Sequence, residues 1–391
     1  MLTKSDELLC HQIVSTFDHV DTSESNWAEK MEIDVYDSSG GIVVSHGIGK
    51  YTNRNVMDGF GAVALKDRQY HVRSSRELHT EPDITKIGPV SLEVVEPFKK
   101  IRICLGENEY GFSYDLELEG VMTPFEEPVG FTRFKGKIVN HCVRYYQLCR
   151  ASGKVTVEGK TYKATRDTWY AQRDHSWGIR GLMGAYRAAG GWRHPEDKGA
   201  PESGLQPNPR DHIPGYLGFL NAAEFKDFGF FTTYVEGPDG KPFQLGLSGI
   251  HGYIVYPYAA NRSPQRIVNQ QYQIQFFPGA RQLKSLKVDF TLEDGTNRQI
   301  SMRPMGVGTY TFAVGYFGGY RNWWHGKWMG PSWVQGEKID ITNENVLGEM
   351  FGGGLKHATL ECRCGDEVGY GVIQYGAFGE LPKYGIKASG S

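Results

Sequence analysis

Cysteine is scarce in this sequence, with six residues in 391, at positions 10, 104, 142, 149, 362 and 364. So few, so scattered, exclude a disulfide framework. Cys362 and Cys364 lie two apart in a strand-like run, on one face but in the wrong geometry for a local bridge, so reduced thiols are expected. The sequence has no run of 18 apolar residues, and its opening MLTKSDELLCHQIV lacks the continuous apolar core and cleavage pattern of a signal peptide. A soluble, cytoplasmic protein without stable membrane insertion is the expectation. Charge of one sign is also lacking: the formal net charge is −2, the pI about 6.6, and no long basic block breaks the balance. That argues against nucleic acid or an anionic membrane surface as partner and points to a neutral or mildly polar ligand. Oligomeric state stays open, a homo-oligomer included.

Signature motifs are missing as well. No GxGxxG leads from a strand into a helix, and GxxxxGK[ST], HExxH, CxxC and GxSxG do not occur. The twelve histidines form no convincing ligand pair. No nucleotide, flavin or metal cofactor is therefore indicated. The chemistry left is what side chains do unaided: proton transfer, addition or elimination of water, isomerisation, or binding without reaction.

What is present is alternation. A short helix is expected over Thr3 to Phe17, with Leu8, Leu9, Ile13 and Val14 as its apolar stripe. From Met31 the period becomes two, in MEIDVYD, GIVVSH, FGAVAL, VSLEVVE, KIRICL and YGFSYDLELEG. In the last of these Phe112, Tyr114, Leu116 and Leu118 alternate with polar residues, as in a half-buried antiparallel strand. About eight strands are expected before Asp174. Residues 195–214 hold five of the eighteen prolines and almost no aliphatic side chains, and read as a linker or lid. Strands then resume, ending in a hairpin that turns at Gly365-Asp366. The fold class is all-β: two antiparallel barrels, over residues 1–194 and 215–391, either side of the proline-rich segment.

The densest chemistry lies in Gln172-Arg173-Asp174-His175-Ser176-Trp177-Gly178-Ile179-Arg180. So many ionisable groups suit a cavity better than a dry core. Asp174 and His175 are adjacent, so a regular strand sends them to opposite faces. Asp174 with a raised pKa could protonate an alkene or a leaving hydroxyl, with His175 moving a proton, Tyr146 orienting an oxygen and Arg180 beside the acid. The competing reading is a carboxylate paired with Arg173 or Arg180 to fix a turn. Trp177 under Arg180 could equally plug a barrel end. A second cluster, Tyr316 to Trp328, supplies Tyr320, Trp323 and His325, which with Tyr170 and Trp177 are candidate substrate contacts or a hydrophobic clasp between halves.

YYQLCRASGKVTVEGKTY followed by QRDHSWGIR resembles the two-domain lipocalin-like family of carotenoid 1,2-hydratase (hydroxyneurosporene synthase), kievitone hydratase and AttH-like proteins. GYLGFLNAAEF, LKSLKVDFTLEDGTNRQI, GGYRNWWHGKWMGP and GYGVIQYG agree in outline, and QRDHSWGIR is the specific part. The resemblance implies two tandem lipocalin-like β-barrels and a cofactor-independent lyase, a hydratase or dehydratase, acting on a hydrophobic aromatic or terpenoid molecule. By that analogy Asp174 is the proton donor. A non-catalytic carrier, or an isomerase or cyclase on the same scaffold, is the alternative.

Overall fold

Period-two patterning becomes twenty-two strands in the computed structural model, which describes residues 4–9, 12–78, 84–134, 136–180, 215–242, 250–316, 320–321, 323–350 and 355–387. The proline-rich residues 195–214 lie outside the described residues. Thirteen strands precede them: β1 (Trp27–Asp37), β2 (Ile42–Tyr51), β3 (Val56–Leu65), β4 (Arg68–Glu77), β5 (Lys86–Ile87), β6 (Val90–Glu96), β7 (Lys100–Leu105), β8 (Phe112–Gly120), β9 (Phe125–Glu126), β10 (Gly130–Phe134), β11 (Lys137–Val157), β12 (Lys160–Ala164) and β13 (Trp169–Ile179). Nine follow: β14 (Gly215–Glu224), β15 (Gly229–Glu236), β16 (His251–Val255), β17 (Gln265–Phe276), β18 (Leu283–Leu292), β19 (Asn297–Tyr310), β20 (Ser332–Asp340), β21 (Leu355–Cys364) and β22 (Glu367–Gly379). The expected amino-terminal helix does not form: the described residues there hold only a 3₁₀ turn, Lys4–Glu7, and Leu8, Leu9, Ile13 and Val14 are exposed. A single apolar stripe with nothing to pack against does not hold a helix in water.

The strands form two bodies. β14 to β19, β21 and β22 close into an eight-stranded barrel, sealed where β14 runs antiparallel to β22 from Gly215↔Gly379 to Glu224↔Tyr370. The other body is a fourteen-stranded sheet in the order β20-β4-β3-β2-β1-β13-β11-β8-β7-β6-β5, with β9, β10 and β12 also on β11. It curls so that Ile33, Val35, Val63 and Val72 of one arm share a core with Ile103, Leu116 and Tyr114 of the other. β8 alternates as the sequence suggests, with Phe112, Tyr114, Leu116 and Leu118 inward. The β21–β22 hairpin also turns at the expected Gly365-Asp366, between Cys364 and Glu367. All five described cysteines are free thiols.

One strand crosses between halves of the sequence. β20 pairs with β4 from Ser332↔Arg76 to Asp340↔Arg68, so residues 332–340 extend the first sheet although they fall within 215–391. β4 would otherwise present an open edge, and a further strand satisfies its backbone groups. The two bodies also share a core. Met122, Phe125, Tyr146 and Leu148 of the sheet interlock with Leu220, Ala222, Phe231 and Val255 of the barrel. Beside them Arg150 forks onto Glu224 at 2.8 Å and lies 3.7 Å above the Tyr170 ring. Phe231→Ala should therefore cost about 3–5 kcal/mol of stability, as for other fully buried aromatics, measured by denaturant unfolding; a loss below about 1 kcal/mol would show that the contact between bodies contributes little.

Candidate functional site

The 172–180 stretch folds as β13, a central strand with β1 on one side and β11 on the other. Alternation sends Gln172, Asp174 and Ser176 to the outer face of the sheet, with Lys30, Glu32 and Asp34 of β1 and Arg144 and Tyr146 of β11. Polar residues on an outer face ordinarily meet water. Here the barrel and residues 311–316 and 323–328 cover them, and Lys30, Asp34, Ser45, Asp58, Gln172, Asp174 and Ser176 are all buried.

Asp34 anchors the arrangement from the sheet and His357 of β21 from the barrel. His357 Nδ1 lies 3.0 and 3.1 Å from the two Asp34 oxygens, and Ser45 Oγ, Gln172 Nε2 and Gln374 Nε2 also donate to them. Burial pulls the Asp34 carboxyl upward, but the charge and hydrogen bond of His357, with Ser45 and Gln374, hold it below its ordinary range. Burial likewise opposes the charged form of His357, and Asp34 outweighs it, so the imidazole is held above its usual value. Glu32, Asp34 and His357 bring their ligand atoms within 4.8 Å of one another. Asp34, however, already accepts from four donor groups, and a raised imidazole pKa opposes the neutral form a metal needs. The trio reads as an imidazolium between carboxylates rather than a metal centre.

Glu32 and Asp174 are direct ladder partners on this covered face, and Tyr146 is the partner of Asp174 on the other side. Carboxyls so placed have their Cβ atoms about 4.5–5.5 Å apart. Among the described residues no hydrogen bond reaches Asp174, whose nearest cation is Arg144, with Nε 3.5 Å from Oδ2. Burial raises the Asp174 pKa, only partly opposed by Arg144, Arg180 and Lys30. Burial raises Glu32 to about 7, and the neighbouring Asp174 and Asp34 add to the shift against the pull of His357. The charge of Asp174 thus opposes ionisation of Glu32, and the two titrate as a coupled pair.

Cations and phenols surround the pair. Arg144 Nη1 donates to Tyr146 Oη at 3.1 Å, and Arg144 Nε lies 3.6 Å from Glu127, which accepts from His251 of the barrel at 3.0 Å. Arg180 donates to Ser176 Oγ at 2.8 Å. Lys30 Nζ lies 4.3 Å from the Tyr316 ring centroid and donates to His325 Nδ1 at 2.6 Å, while His325 Nε2 donates to the Val314 carbonyl. Gly47 sits opposite Glu32 on β2, where a Cβ would fall 2.3 Å from the Phe60 ring. The missing side chain leaves room for Phe60, which packs edge-on to Tyr316 and tilted against His325.

Of the residues singled out from the sequence, the structure brings together Asp174, Tyr146, Arg180 and His325. His175 and Trp177 point the other way. His175 Nε2 donates to Glu29 at 2.8 Å and Nδ1 accepts from Tyr145, while Trp177, more than a third exposed, packs edge-on to His175. Trp177 and Arg180 do not stack, because they leave the strand on opposite sides. Tyr170 stacks on Tyr36 farther along the seam. Tyr320 and Trp323 are buried in the 311–328 segment, Trp323 stacked on Trp333 and the Tyr320 carbonyl accepting from Arg73. Sequence reasoning missed Lys30, Glu32, Asp34, Asp58, Arg144 and His357, while Tyr316 lies at the start of the aromatic cluster it singled out. The available signal was the charged half of MEIDVYD, which looks solvent-facing until a second body covers it.

An all-β protein made of a closed eight-stranded barrel against a curled open sheet, with ionisable groups sealed between them, is the class that fold and site define. Within it the chain belongs to the family described as Family of unknown function (DUF8625), whose model matches residues 2–387. No curated protein matches the sequence. Among solved structures it is similar to kievitone hydratase from Nectria haematococca, at 11% identity over 92% of each chain and a TM-score of 0.40.

The pKa shifts fix the sign of a pH dependence. Glu32 and Asp58, both raised by burial to about 7 from ordinary values of 4.5 and 3.8, keep protons in the folded state that the unfolded chain has released. Stability therefore falls as pH rises through that window. The raised His357 acts in the same direction, its contribution being present below 6.5 and lost as pH rises through its folded value. Asp34 acts oppositely, its contribution disappearing only in strong acid, below 3.8. The melting temperature should decline between about pH 5 and pH 8, and Glu32→Gln should flatten that decline; an unchanged slope in the variant would mean that Glu32 ionises as freely folded as unfolded.

Proposed function

We propose that the seam between sheet and barrel is the active site of a cofactor-independent lyase that adds water to, or eliminates it from, a hydrophobic aromatic or terpenoid molecule. The observation that supports this reading is the Glu32–Asp174 pair: two carboxyls in ladder register on the covered face, both held above their ordinary range by burial. Such a pair offers an acid and a base at once. In the hydration direction the protonated member gives its proton to an alkene carbon, and the ionised member stabilises the positive charge that develops. That carboxylate then takes a proton from the attacking water as the C–O bond forms. Elimination is the same path reversed.

The surroundings suit that chemistry. Phe125, Tyr146 and Phe231 form a dry wall beside the pair, where charge–charge effects are strongest. Arg144 presents its guanidinium to Asp174 and Tyr146 and can hold an alcohol or alkoxide oxygen. The choice of water addition or elimination, over other proton transfers, comes from the resemblance of residues 172–180 to the carotenoid hydratases.

Asp174→Asn tests the reading, because it keeps the shape and removes the proton chemistry. On a phenolic and terpenoid panel scored by gain or loss of one water in mass spectrometry, turnover should fall about 10²–10⁴-fold with no drop in melting temperature. The parent should show a bell-shaped pH–rate profile, and the variant should lose one limb. A variant that turns over an accepted substrate at the parental rate would take Asp174 out of the chemistry and make the pair a structural clasp, and binding without turnover by the parent would make the site a carrier's pocket.

A further inference from the structure

Lys30 is a strongly basic group of the seam that the proposed reaction does not use. Its side chain is buried, yet among the described residues it forms no ion pair. Its one hydrogen-bond partner is a neutral acceptor, His325 Nδ1, at 2.6 Å. The polarity of that contact is fixed from behind: His325 Nε2 donates to the Val314 carbonyl, so Nδ1 carries the lone pair that faces the amine. Buried ammonium groups are ordinarily matched by a carboxylate, because an unpaired charge in a dry site is costly. Glu32, Asp58 and Asp174 act on Lys30 only at longer range, and Arg180 opposes its charge. Burial, with Arg180, brings the amine down to about 8, a range in which a free base is available at neutral pH.

We infer that Lys30 is a nucleophilic amine that captures the carbonyl group of an aldehyde or ketone as an imine, on the covered face it shares with Glu32, Asp174 and Tyr316. The inference rests on that face being reachable by a ligand, as the proposed lyase reading also requires, but not on water addition being the reaction. The Lys30 lone pair attacks the carbonyl carbon and a C–N bond forms while the carbonyl π pair moves to oxygen. The protonated member of the Glu32–Asp174 pair gives that oxygen its proton, and the ammonium of the adduct returns one to the carboxylate. The carbinolamine hydroxyl then leaves as water with a second proton from the pair, the nitrogen lone pair forms C=N, and the remaining N–H proton restores the pair. Amine and carbonyl become imine and water, with nothing oxidised. Tyr316, under Lys30 at 4.3 Å, and Phe60 supply flat faces, so an aromatic or conjugated carbonyl is the class that fits.

The experiment uses the whole protein with benzaldehyde as probe and cyanoborohydride as trap, at pH 7, where exposed lysines are almost wholly protonated. Peptide mapping should find Lys30 benzylated roughly tenfold or more faster than the median lysine, reflecting its larger free-amine fraction. The Lys30→Met variant should lose that fast site, and Glu32→Gln should slow it. Thermal unfolding of each variant checks that the fold persists. A native protein in which Lys30 is labelled no faster than exposed lysines overturns the inference. If that happens while Asp174→Asn still abolishes water addition, the lyase reading stands and only the imine falls; fast Lys30 labelling with no water chemistry on the panel gives the reverse.

Discussion

The most deeply buried of the ionic contacts between sheet and barrel is Asp34 against His357, and the rest of the seam is arranged around it. Asp34 is wholly inaccessible and His357 nearly so. Pairs of this kind add little net stability over apolar residues, yet removing one partner strands a charge at a cost of about 3–5 kcal/mol. The contact therefore specifies which surfaces meet. The Asp34 charge, two residues along the same face, adds with Asp174 to the burial that holds the Glu32 carboxyl above its ordinary range.

The same constraint explains why an outer sheet face can be polar and dry at once. Strand alternation puts Lys30, Glu32 and Asp34 outward because Ile33 and Val35 are needed inside. The barrel then covers them, helped by the aromatic contact of Phe125 and Tyr146 with Phe231. Burial raises the carboxyls and lowers Lys30, so the covering body does the electrostatic tuning without touching the backbone of the strands. The carboxy-terminal half also gives β20 to the first sheet, on β4, and places Tyr316 and His325 against Lys30.

Much of the strand pattern was legible. YGFSYDLELEG and the 355–379 hairpin follow their alternation, since inward positions there meet a core built mainly from their own neighbours. The amino-terminal helix was not, because helix stability comes from a packing partner that the apolar stripe lacks. Asp174 and Tyr146 could be found by the density of ionisable and aromatic groups around them. His175 and Trp177 came with Asp174 in sequence, and the two-residue period of β13 separated them in space.

The sequence by itself determined the all-β class, the opposite facing of Asp174 and His175, and the absence of a disulfide framework, because these depend on local period and composition. Only the tertiary structure decided that β20 joins the first sheet, that β1 meets β13 with Glu32 opposite Asp174, and that His357 and His325 reach Asp34 and Lys30 across more than 290 residues. Those pairings depend on register and on which bodies cover which faces. Register and coverage arise from contacts between distant segments, which no local pattern of residues encodes.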